Sequence, residues 1–148
     1  MGRTIALATL VAGTLDIMFA MILTLYFGRH IPDMLRFVAS GPFPTATDMG
    51  TSGAILGLIV HFALMAIMVT VFVAVARQRP DLTQQPIKWG VIYGLVTYVV
   101  LNLIVVPLRF GAWPPMPRSI ATQLFAHIVL VGIPIALITA RSLRPQQT

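Results

Sequence analysis

Four long apolar stretches run through the chain, separated by short polar ones. They cover about residues 5–26, 52–76, 87–106 and 120–140. Each is close to the ~20 residues a helix needs to cross the hydrocarbon core of a bilayer. The pattern predicts an all-α fold: an integral membrane four-helix bundle forming one domain over residues 1–148. Arg3 ahead of the first run gives it the outline of a signal peptide. The run is too long for that, and no small-x-small cleavage site follows it in a polar setting, so it reads as a retained helix.

The polar segments have their own signals. In the first connection Pro32 suits the first turn of a helix. Met34, Leu35 and Val38 then fall on one face, with Asp33 and Arg36 off it. This predicts a short interfacial helix in the first outer loop, lying on the membrane surface. Gly41, Pro42 and Pro44 end it. The inner loop, 77–86, contains Arg77-Gln78-Arg79-Pro80-Asp81. The second outer loop, 107–118, holds Pro107, Pro114, Pro115 and Pro117, with Trp113 placed where interfacial aromatics anchor. The tail, 142–148, is expected to fray.

Composition supports this reading. Hydrophobic residues make up 57% of the chain, charged residues 9%, and mean hydropathy is +0.90. A soluble domain carries about a quarter charged residues, so this chain has too few to coat a globular surface. The net charge is +6, but the charges stand singly between apolar runs. Anionic lipid headgroups are the simpler partner, and nucleic acid is not expected, for want of a clustered basic face. With no cysteine, disulfides, thiolate metal sites and cysteine catalysis are excluded. Arg3, Arg77, Arg79, Lys88, Arg141 and Arg144 would lie on one side, and Arg29, Arg36, Arg109 and Arg118 on the other. Six against four places both termini in the cytoplasm.

A short self-similarity stands out. Leu58-Ile59-Val60-His61-Phe62-Ala63-Leu64 is similar to Leu124-Phe125-Ala126-His127-Ile128-Val129-Leu130, at an offset of 66 residues (127 − 61). Two parallel hairpins related by an axis along the membrane normal would produce such a repeat. Both histidines would then lie roughly 13 Å inside the outer ends of their helices at 1.5 Å per residue.

Further stretches carry a family resemblance. They are Arg36-Phe37-Val38-Ala39-Ser40-Gly41, Leu56-Gly57 with His61-Phe62, Gly90 with Gly94, Asn102 with Pro107-Leu108, and His127 with Gly132, Pro134, Ile135 and Ala136; Asp16 fits as well. Over nearly its whole length the chain resembles a widespread group of small bacterial membrane proteins, distantly related to the YagU-like inner-membrane proteins. Where such proteins often show a Gly-Gly pair before the second helix, this chain has Gly50-Thr51-Ser52-Gly53. The resemblance implies a four-helix protein of the bacterial inner membrane and brings no established activity.

Residues four apart share a helix face. The second helix presents Gly53, Gly57, His61 and Met65 at that interval, and the third Gly90, Gly94, Tyr98 and Asn102. The first offers Thr9, Gly13, Asp16 and Ala20. The fourth places Gln123 one turn from His127, with Gly132-Ile133-Pro134 as a bend. Glycines on such faces let backbones approach closely, and polar groups can bond across the contact. A carboxylate near mid-membrane costs about 2.5–3.5 kcal/mol on insertion scales, so Asp16 is expected to be paired, protonated or functional.

These residues predict a small intramembrane polar site of Asp16, His61, Asn102 and His127, with Tyr98 and Gln123 beside it. Asp and His can exchange protons, so the site would serve transport of a small solute or a proton-linked step. The alternative is a structural or accessory subunit of a membrane complex or homo-oligomer, in which the same residues only tie helices together. A third reading makes His61 and His127 axial ligands of haem b, although the glycine faces leave little room for it. Otherwise neither cofactor nor metal is predicted. The chain is not read as an enzyme: it has no Gly-rich phosphate loop, no His-Glu-x-x-His helix and no Gly-x-Ser-x-Gly elbow.

Overall fold

Long apolar runs leave the backbone no partner but itself, and the chain answers with helices. A computed structural model describes residues 1–143, which contain helices and no strand. Four helices are long and apolar enough to cross a membrane: α1 (Gly2–Tyr26), α3 (Gly50–Gln78), α5 (Pro86–Phe110) and α6 (Pro117–Leu143). Between them lie two short ones, α2 (Ile31–Ser40) and α4 (Asp81–Gln84). At 1.5 Å per residue the long helices measure about 37–44 Å, more than the ~30 Å of a hydrocarbon core.

The helices overrun the apolar stretches because polar flanks such as Gly2-Arg3-Thr4 can stay helical in water. Pro86 and Pro117 open α5 and α6 at the first turn, where a missing N–H does no harm. Ser142 and Leu143, expected in a frayed tail, close α6. Arg144 and the rest of the tail lie outside the described residues.

The largest departure is in α5. The second outer loop was expected from Pro107, yet the helix continues to Phe110. Residues Val99–Val105 widen into a π-helical segment directly ahead of that proline. The proline ring clashes with the carbonyl four residues back, and a wider turn relieves this. The same device recurs in α6. The expected bend at Gly132-Ile133-Pro134 is a π-helical segment, Ala126–Gly132, which again ends two residues before a proline.

Helices α1, α3 and α6 form the core. Ala8 and Ala12 of α1, Met65 and Val69 of α3, and Val131 and Ile135 of α6 pack there almost without exposure. Leu82 of α4 plugs its lower end. Helix α5 leans chiefly on α6. Where it meets α3, the Tyr93 hydroxyl donates to the Met68 carbonyl at 2.6 Å.

Helix α2 docks on α3 through Leu35 and Ala39, both buried. The glycines of α3 make this contact. A Cβ at Gly57 would collide with the Leu35 carbonyl, and one at Gly53 with the Ala46 carbonyl. The stripe read as a seam for another crossing helix therefore divides: Gly53 and Gly57 receive α2 and the turn after it, while His61 and Met65 face α1.

Candidate functional site

The polar residues gather in two places, each a histidine held by the helix beside it. In the first, His61 of α3 points at α1. Its Nε2 lies 2.9 Å from the Gly13 carbonyl oxygen, to which it donates. Its Nδ1 is 3.9 Å from Oδ2 of Asp16, and both side chains are largely shielded, at 11% and 26% exposed. Gly13 and Asp16 sit one turn apart on α1, so one imidazole reaches both. Gly13 also admits the neighbouring Phe62: a Cβ there would come 2.7 Å from the Phe62 ring. The hydroxyl of Thr9 takes no part, being buried without a hydrogen-bond partner.

In the second, His127 of α6 points at α5. Its Nδ1 lies 3.0 Å from the Thr97 hydroxyl and its Nε2 3.0 Å from Nδ2 of Asn102. The Thr97 hydroxyl also reaches the Gly94 carbonyl at 3.0 Å. One arrangement gives every contact a donor and an acceptor. Asn102 donates to Nε2, the Nδ1 proton goes to Thr97, and Thr97 donates to Gly94. His127 is then a neutral imidazole of fixed tautomer. The buried Tyr98 ring meets it edge-on at 6.1 Å between centroids. The glycines here make the approach possible. A Cβ at Gly94 would come 2.6 Å from the Cα of Ile128, and one at Gly90 2.7 Å from the Cα of Ile133. A Cβ at Gly132 would strike the Gly90 carbonyl.

Thr97 is the residue that spacing by four overlooks. On a regular helix Tyr98 and Asn102 share a face. In a π-helical turn residues five apart come into line, so Thr97 and Asn102 flank the imidazole together. The prolines downstream of both π-helical segments were the available signal.

Asn102, Gln123 and His127 line one side of a pocket of about 510 Å³. Phe37 and Val38 of α2, Leu64 of α3, and Leu101 and Val105 of α5 supply the other walls. Neither Asp16 nor His61 borders it, so the four polar residues expected at one site form two pairs on separate helix contacts. Arg109 closes the rim. Its Nε and a terminal nitrogen donate to the Gly41 and Ser40 carbonyls at 2.7 and 2.8 Å. A cation thus meets the negative end of α2, and stacking of Phe37 on Phe110 at 4.6 Å joins the same two helices.

The pocket offers little polar area, but that area is adaptable. Asn102 keeps an amide proton and its carbonyl oxygen for a guest, and Gln123 adds an amide. An axial bond to haem from either nitrogen of His127, or from the Nε2 of His61, would first break a hydrogen bond to a protein partner. Among the described residues no three His, Cys, Asp or Glu side chains come together as a metal site. Comparison with protein-family models, with curated proteins and with solved structures finds no match.

Proposed function

We propose that this is an integral protein of the bacterial inner membrane that binds and carries a small, mainly apolar solute. The observation that carries the proposal is the pocket at Asn102 and His127. Its volume falls in the ~300–1,000 Å³ range of small-molecule sites, and few polar groups stand among apolar walls, as such sites have them. A guest would lay its hydrocarbon part against Leu64, Leu101 and Val105 and place one hydrogen-bonding group at Asn102 or Gln123. The Asp16–His61 pair, near the middle of α1, supplies exchangeable protons for a proton-linked form of the same transport. The family reading that accompanies this is the one the sequence suggests, a small four-helix protein distantly YagU-like.

Benzophenone tests the proposal, being small, apolar, photoreactive and equipped with a single carbonyl acceptor. Protein in liposomes would be irradiated with it and the adducts mapped by peptide mass spectrometry. Adducts should concentrate at Leu64, Leu101 and Val105 and fall several-fold in Asn102→Leu. Labelling spread evenly over the lipid-facing positions of all four long helices would remove the basis for a binding pocket.

A further inference from the structure

Four arginines lie at the end of the molecule that carries α2, and their bonding separates them into two kinds. Arg36 pairs with Asp33 and donates to the Gly50 carbonyl at 3.1 Å. Arg109 caps α2. Both are committed to holding the fold. Arg29 and Arg118 are not, and both line the same cleft of about 240 Å³ between the ends of α1 and α6. Among the described residues the Arg29 guanidinium makes no hydrogen bond or ion pair, its backbone N–H alone bonding to the Thr24 carbonyl at 2.9 Å, and the Arg118 guanidinium meets only the Phe27 ring, at 4.5 Å. The chain has just four carboxylates, and none borders the cleft. Two cations in one concavity, with no acid to neutralise them, form a site that lacks its anion.

We infer that this cleft binds a phosphoryl group. The two guanidiniums can each present paired N–H donors to phosphate oxygens. The Ser119 hydroxyl and the Gln123 amide stand on the same wall to donate further. Leu23 and Met34 give the cleft an apolar side, suited to the chain that follows a lipid headgroup. A phosphatidylcholine headgroup is a poorer match, because its own ammonium would sit beside the arginines. The inference rests on side chains separate from the solute pocket, although Gln123 borders both. It therefore stands or falls independently of what that pocket carries.

Calorimetric titration of the full chain in uncharged maltoside detergent at low salt tests it. The probes are dihexanoylphosphatidylglycerol, dihexanoylphosphatidylcholine and inorganic phosphate. The glycerol lipid should bind saturably and the choline lipid should not. Arg29→Gln with Arg118→Gln should weaken binding roughly thirtyfold, at the usual contribution of a basic residue near an anionic headgroup. Arg77→Gln with Lys88→Gln, an equal loss of charge at the other end, should leave it unchanged. Both pairs are exposed, and an unaltered helical circular dichroism spectrum confirms that the variants fold. Binding of the glycerol lipid alone identifies a lipid headgroup as the source. Binding of inorganic phosphate with the same loss in the double variant identifies free phosphoryl compounds. Equal binding of both lipids, full affinity in the Arg29/Arg118 variant, or no binding of any probe would overturn the inference.

Discussion

Gly13 and Gly94 do the same job at two helix contacts, but what each would strike differs. Beyond Gly13 lies the edge of the Phe62 ring, which can swing aside. Beyond Gly94 lie the His127 carbonyl and the Cα of Ile128, which cannot move without moving α6. Gly94→Ala should therefore destabilise the protein by about 1–3 kcal/mol, the usual cost of overpacking, and Gly13→Ala by less than half as much. Unfolding in mixed micelles titrated with dodecyl sulfate measures both, and an equal loss would contradict this view of the α5–α6 contact. At this scale the sequence was informative about which residue types to watch. The glycines at intervals of four and the two histidines stand at helix contacts in the structure. What the sequence left open was partnership. Nothing in residues 53–65 tells whether a glycine will receive α2 or a long helix, because that depends on how the 23-residue connection folds back.

The elements show why the polar residues divide as they do. In each long hairpin a glycine and a polar residue three positions later meet a histidine on the returning helix: Gly13 and Asp16 with His61, Gly94 and Thr97 with His127. The histidine repeat noticed in the sequence thus has a structural counterpart, with α2 inserted into the first hairpin only. The start of α5, expected at 87, was legible to within a residue of Pro86, whereas α6, expected from about 120, already begins at Pro117, which the sequence places in the loop. The end of α5 was not legible, because Pro107 stops a helix only when the preceding turn stays regular, and the π-helical segment removes that conflict. Helix α2 depends on a distant residue. With Arg109 bonded to the Ser40 and Gly41 carbonyls, Arg109→Gln should leave the end of α2 unanchored. Hydrogen exchange of the amides in 31–40 should then quicken about tenfold, with those of α1 unchanged. Equal exchange in both proteins would show that docking on α3 alone holds α2.

For the whole molecule, four long helices that all cross a membrane, as we propose, put both termini on one side. Among the described residues that side carries Arg3, Arg77, Arg79, Lys88 and Arg141, the excess expected of a cytoplasmic face. A fluorescent-protein fusion after Thr148 should glow and an alkaline phosphatase fusion should be silent; the opposite pair of results would invert the topology. The four long apolar helices could be read from hydropathy alone. The pocket could not, since it forms where α3 and α5 fail to pack and α2 bridges them through Arg109. The central claim is that this space holds a small molecule, and mass spectrometry of the intact protein released from nanodiscs addresses it most directly. The wild-type chain should carry an additional small-molecule mass. Val105→Trp, which fills the pocket, should lose it, and Ile67→Trp, on an exposed face of α3, should keep it. Identical spectra for the wild type and Val105→Trp would contradict the account.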